Sequence, residues 1–231
     1  MLALQIEEAS AKVRTGPPKD FDTDVALPIW TSLHGHQQQE VLRVSETGAT
    51  GHSVPPEDNG TCDHVLGAAL PVLTLESTAG PVNLAESGAD LLVLFIYPHA
   101  TGLPEAPVTG WDLIPGARGC TAQSCAFRDQ HDHLTELGAA LAGLSVQTVA
   151  EQREFAARVG LRYPLISDPK QQLAHALALP TFTAGGRTFY RRLTLIARGR
   201  RVVKVFYPVA APERNAADVA AWLERAYGSD E

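Results

Sequence analysis

From Val72 onward, short apolar runs alternate with segments of helical period. VLTLE (72–76), a turn at STAG and PVNL predict a small hairpin. DLLVLFIYP (90–98) is a continuous apolar run of strand length, the pattern of a strand buried on both faces. A long loop rich in proline and glycine follows, HATGLPEAPVTGWDLIPGARG (99–119); loops of that length inside compact domains are usually functional or disordered. CTAQSCAFRDQHDHLTELGAALAGL (120–144) reads as helix, with Phe127, Leu134, Leu137 and Leu141 near helical spacing. LSVQTV reads as a strand, AEQREFAARVG as a helix ending on Gly160, YPLISD as a strand, and KQQLAHALAL as a helix stopped by Pro180. RRLTLIA and RRVVKVFYP are strands around the turn ARGR, and ERNAADVAAWLERAYG closes the chain as an amphipathic helix. Strands alternating with helices describe a compact α/β domain. No internal repeat is evident.

The first 60 residues have another texture. They carry nine acidic and four basic residues, which is −5 of the chain's net −7. TGPPKD, HGHQQQ and SETGATGHSVPPEDNG interrupt them, and two apolar islands, Val25–Trp30 and Val41–Val44, are short. The reading is an acidic N-terminal extension and linker over 1–61, at most partly ordered, and an α/β domain over 62–231. The 231 residues suffice for that arrangement. A hydrophobic share of 45% and a mean hydropathy of −0.06 are those of an ordinary globular protein. No apolar run approaches the ~20 residues that span a bilayer. The N-terminus has acids where a secretion signal needs a basic and then an apolar segment, so the expected location is cytoplasmic. The acidic balance argues against nucleic acid as partner, and no membrane partner is expected.

Three cysteines are too few for a secreted disulfide framework; in a reducing compartment, close cysteines point to metal or redox chemistry. Cys120 and Cys125 on one ideal helix stand about 140° apart around the axis and roughly 7.5 Å along it. Their Cα atoms are then about 8 to 9 Å apart, beyond the ~7 Å reach of a disulfide. A bridge between them requires the first helical turn to unwind, the cheapest part of a helix to open. Cys120 lies at the predicted helix start, where free N–H groups and the helix dipole favour a thiolate, and Arg118 adds positive charge two residues earlier. A thiolate there can attack peroxide and become a sulfenic acid, with Cys125 a nearby thiol to condense with it. Spacing alone leaves the plainer reading open, two small apolar residues in a core helix.

The strand LFIYP, the segment GCTAQSCAFRD, the run SVQTVAEQREFAARVGLRYPLISDP and the strands RRLTLIARGRRVVKVF together resemble the bacterioferritin-comigratory, or Q-type, branch of the peroxiredoxins. The likeness runs from about Asp63 to the C-terminal helix. It implies a thioredoxin-like fold, a central mixed sheet flanked by helices. It also implies a peroxidatic Cys120, a resolving Cys125 in the same chain, and an active-site arginine at Arg192. An arginine there can stabilise the thiolate and donate to the peroxide oxygens. Its neighbour Arg191 should face the other way along the strand, into solvent. The implied function is a thiol peroxidase acting on hydrogen peroxide or organic hydroperoxides, reset by a thioredoxin-type dithiol, without metal, haem or flavin. A monomer or weak dimer is expected from the same likeness.

The pattern departs from that branch at one place. A Thr or Ser usually stands three residues before the peroxidatic cysteine and a Pro four before that; here those positions hold Ala117 and Leu113. Pro98 and Thr101, ahead of the long loop, are the candidate displaced equivalents if the loop folds back. Otherwise Arg118 and backbone donors take over the role. The insertion, with Trp111 in it, is a candidate cap on the site.

Other candidates carry less. His131 and His133 point about 200° apart on a helix, which does not suit joint zinc ligation with Cys120 and Cys125. His34 and His36 are plain polar residues or weak ligands, and Cys62 is an incidental thiol or the donor of an intermolecular disulfide. Two other functions stay in view: a thiol–disulfide reductase or redox sensor on the same fold, and a non-catalytic interaction module working through the extension.

Overall fold

The structure is a computed structural model describing residues 56–86, 90–100 and 108–228. Most of the extension, with its apolar islands and His34 and His36, lies outside the described residues, as does Thr101.

The elements follow the predicted alternation, with two corrections. Strands β1 (Thr74–Ser77) and β2 (Val82–Asn83) form the expected hairpin. Strand β3 (Leu91–Ile96) is buried along its whole length. Helix α1 (Cys120–Asp129) and helix α2 (His131–Glu136) then lead into strand β4 (Ala139–Ser145). The helix expected to run through residue 144 therefore stops at 136, and Leu141 sits on a strand. The reason lies in the sheet. AALAGLS has little strand preference of its own, yet it pairs in parallel with β3 on one side and with strand β5 (Leu165–Ser167) on the other. Small side chains are needed there. A Cβ at Gly143 would stand 2.7 Å from both Phe95 Cζ and Leu165 Cδ2. The expected strand at 144–149 is thereby moved back, and SVQTV becomes the link to helix α3 (Val149–Val159), which opens on a Thr148–Glu151 capping box.

Helix α4 (Gln172–Leu177) is followed by a hairpin the pattern reading did not assign, β6 (Thr181–Ala184) and β7 (Arg187–Tyr190). Its signal was present, since TFTAGGRTFY alternates about a Gly–Gly turn. Strands β8 (Leu193–Arg198) and β9 (Arg201–Phe206) and helix α5 (Asn215–Tyr227) complete the chain as expected.

Among the described residues the main sheet has seven strands in the order β2-β1-β5-β4-β3-β8-β9. It is mixed: β3, β4 and β5 run parallel, and β8 pairs with β3 antiparallel. Successive residues of a strand point to opposite faces, and β3 divides its side chains accordingly. Leu91, Val93 and Phe95 join Phe127 of α1, Leu134 of α2, Phe155 of α3 and Val219 and Leu223 of α5. Leu92, Leu94 and Ile96 join Leu173 and Leu177 of α4 and Phe189 and Tyr190 of β7. No helix among the described residues is long and apolar enough to cross a membrane.

Candidate active site

Helix α1 opens directly on Cys120, whose Cα follows Gly119 in a left-handed conformation (φ 92°, ψ 12°). Among the described residues no side chain caps this end, which leaves its N–H groups for an anion. Glycine is required at 119 for a second reason: a Cβ there would meet Pro212 Cγ at 2.8 Å. Cys120 is buried, and its Sγ lies 3.5 Å from the Ala117 carbonyl, to which the thiol donates.

Arg192, immediately ahead of β8, reaches across to this corner. Its Nη2 donates to Cys120 Sγ at 3.2 Å and shares its two protons with the carbonyls of Arg118 (2.7 Å), Gly116 and Ala117 (both 3.3 Å). Its Nη1 donates to Gln123 Oε1, one turn along α1. The guanidinium is 3% exposed, and none of the ion pairs among the described residues includes it. A buried cation without a carboxylate is costly, and a thiolate on Cys120 is the countercharge within its reach. Its Nε–H, also buried, has no partner among the described residues.

The chain around this corner is similar to known proteins. The AhpC/TSA family pattern matches residues 113–208, which include Cys120, Cys125 and Arg192. Chloroplastic peroxiredoxin Q of Arabidopsis thaliana is 32% identical over 115 residues, 49% of this chain and 46% of that protein. Peroxiredoxin Bcp of Bacillus subtilis is 30% identical over 112 residues, 48% of this chain and 62% of that protein. The crystal structure of peroxidoxin BcpB from Mycobacterium tuberculosis superposes with a TM-score of 0.57 at 27% identity, over 71% of this chain and 98% of that one. The chain thus spans about half to two thirds of the curated relatives it matches. It is similar to AhpC/TSA proteins and, among them, to peroxiredoxins of the Q and Bcp kind. Its sheet and flanking helices are the thioredoxin-like fold of peroxiredoxins.

Cys125 is half-buried on the same helix, and both thiols are free. The two halves of α1 are held differently. The second half is anchored in the core: Phe127 stacks on Phe95 with centroids 4.4 Å apart, the Tyr163 hydroxyl donates to the Ser124 carbonyl at 2.7 Å, and Arg128 Nη1 donates to the Val159 carbonyl at 2.6 Å. The first turn is held by the polar contacts of Arg192 and Gln123. Burial raises the Tyr163 hydroxyl well above the ordinary phenol range, so it stays a donor.

The positions around the departure from the branch pattern separate. Leu113 faces solvent and Ala117 is fully buried. Arg118 does not turn its charge on the thiol; its side chain pairs with Asp112 at 2.6 Å, and only its carbonyl faces the site. Trp111 is not beside Cys120 either. It packs on Phe182 and Phe189 in the opposite apolar cluster, pinning the long loop to the β6–β7 hairpin. Pro98 and Ala100 are buried, and Ala100 shares the cluster of Cys120. Gln147 clamps Ala100 with two hydrogen bonds of 2.8 Å, one to its N–H and one from its own amide to the carbonyl. Thr101, the next residue, lies outside the described residues.

Arg191 is half-buried rather than solvated, with its guanidinium 5.6 Å from the Phe182 ring centre. His131 stacks on Tyr163 while His133 bonds Glu224, so the two histidines diverge. No group of three or more metal-ligating side chains occurs among the described residues. Cys62 is buried ahead of a 3₁₀ turn (Asp63–Val65), its thiol pushed up to about 12 by burial and by Asp58 and Asp63. The residues that sequence reading missed are Gln123, Asn215 and Gln147. Gln123 had a signal, a polar residue one turn after Cys120 on a face whose next member, Phe127, is apolar.

Proposed function

We propose that the chain is a thiol peroxidase in which Cys120 is peroxidatic and Cys125 resolving. The observation that carries this reading is the buried Arg192, which donates to the Cys120 sulfur and, among the described residues, has no carboxylate and no partner for its Nε–H. The Cys120 thiolate attacks one oxygen of a hydroperoxide; the O–O bond breaks, Cys120 becomes a sulfenic acid, and the departing alkoxide or hydroxide takes up a proton. Arg192 stabilises the charge as it moves from sulfur to oxygen. The Cys125 thiolate then attacks the sulfenic sulfur, forming the disulfide and expelling water with a proton. On an ideal helix the two Cα atoms are about 8 to 9 Å apart, so the first turn of α1 opens for this step. A thioredoxin-type dithiol reduces the disulfide by exchange, becoming a disulfide itself. Hydrogen peroxide and organic hydroperoxides are the substrate class, and a cytoplasmic monomer or weak dimer with an N-terminal extension over 1–61 is the accompanying reading.

The test starts from the reduced protein with one equivalent of hydrogen peroxide, followed by stopped-flow and intact mass beside Cys120→Ser and Cys125→Ser. The expected result is rapid loss of two hydrogens, absent in the first variant and replaced by a sulfenic acid in the second. A reaction no faster than that of a free thiol would sink the proposal.

A further inference from the structure

Behind Arg192 lies a second layer of buried polar side chains. Gln123 Nε2 donates to Asn215 Oδ1 at 2.9 Å, and the Thr194 hydroxyl donates to the same oxygen at 2.7 Å. All three residues are buried. Thr194 lies on β8 two residues beyond Arg192, and Asn215 is the first residue of α5.

A glutamine amide has one donor end and one acceptor end, and the two are nearly the same shape. Only the acceptor end suits Arg192, whose Nη1 is itself a donor. Asn215 selects that orientation. Its Oδ1, already receiving the Thr194 hydroxyl, offers Gln123 an acceptor, so the NH₂ of Gln123 turns to Asn215 and its carbonyl turns to Arg192. Without that acceptor the Gln123 NH₂ has lost its anchor, and nothing holds the amide with its carbonyl on the guanidinium except the guanidinium itself. The segment carrying Asn215 is fixed to the site a second way, since Pro212 lies over Gly119 and accepts from the Asn215 N–H at 3.3 Å.

We propose that Asn215 is a positioning residue for Arg192, acting through Gln123, so that the start of α5 tunes the reactivity of Cys120. The peroxide part of this claim rests on the peroxidase reading; the thiol part does not.

The experiment uses the full chain in a Cys125→Ser background, with Asn215→Ala, Asn215→Asp, Gln123→Ala and the Gln123→Ala/Asn215→Ala double. Two rates are measured at one pH: oxidation by hydrogen peroxide, and alkylation of Cys120 by iodoacetamide with the site read by peptide mass. Melting temperature is followed alongside. N215A should slow peroxide oxidation about 10-fold and alkylation about 3-fold, the size of one lost oriented hydrogen bond. N215D keeps the acceptor and should stay within about 3-fold of the parent. The double should be no slower than Q123A, because the effect passes through Gln123. Folded N215A reacting at parental rates, N215D as slow as N215A, or an additive double each overturns the proposal; a fall in melting temperature with unchanged rates is the mark of a merely structural role. Should N215A not fold, Thr194→Val removes one of the two donors that hold Asn215. It should slow the peroxide reaction about 3-fold, and parental rates there overturn the proposal equally. If Cys120 of the parent itself reacts with peroxide only as a free thiol does, the peroxidase reading fails, and the alkylation rates alone decide on Asn215.

Discussion

Replacing Gly119 by alanine tests whether the corner before Cys120 is held by backbone geometry. Two costs combine. The left-handed backbone (φ 92°) disfavours a side chain by about 1 to 2 kcal/mol. The new Cβ would also sit 2.8 Å from Pro212 Cγ and 3.0 Å from Pro212 Cβ, where carbon–carbon contacts relax to about 3.5 to 4.0 Å. Overpacking of that kind costs about 1 to 3 kcal/mol, so Gly119→Ala should lose about 2 to 5 kcal/mol in all. Urea unfolding of the reduced protein measures it, as a lower midpoint with unchanged slope. Pro212→Ala and the double variant separate the terms: the double should recover the part of the packing cost due to Pro212 Cγ, and keep the backbone part and the 3.0 Å contact with the Cβ at 212. The peroxide rate should fall with stability in the single variant, because Arg118 O and Cys120 flank the strained residue and Arg192 donates to both. A midpoint shift worth less than about 0.5 kcal/mol, or a double that recovers nothing, refutes the contact argument.

Three further outcomes follow from the same geometry. Arg192→Lys keeps the charge and loses the fork that bridges Cys120, Arg118 and Gln123; stopped-flow should show peroxide oxidation slowed about 10²-fold or more. Gly143→Ala crowds the fully buried Phe95 and Leu165 and should cost about 1 to 3 kcal/mol in thermal or urea unfolding, with a parental value arguing that the sheet centre has slack. Cys62 should contribute to alkaline stability. Its folded pKa of about 12 stands above the ordinary 9.0, so the folded state holds the proton longer than the unfolded state. That stability is complete below pH 9 and lost as pH rises toward 12. Cys62→Ala should therefore flatten the fall in urea midpoint over that window, and an unchanged slope would count against a buried, protonated thiol.

How much of this protein is written in local sequence varies element by element. LLVLFI (91–96) is apolar at every position, as a strand covered on both faces requires, and β3 is that strand. The closing helix has its apolar residues at helical spacing, so its buried face, Ala216, Val219, Ala220 and Leu223, was legible too. The two thiols five residues apart, and the need to unwind a turn before they meet, follow from helix geometry alone. AALAGLS was not legible, because small residues favour no strand by themselves and become one only by pairing between β3 and β5. The same holds at the site. That Arg192 meets no carboxylate among the described residues, that Arg118 spends its charge on Asp112, and that Trp111 belongs to the other face are consequences of which distant segments meet. Gln123, Thr194 and Asn215 are unremarkable polar residues in the sequence, separated by up to 92 positions. Only the packing of α5 against α1 and β8 brings them within hydrogen-bonding distance, and burial then makes each donor and acceptor count.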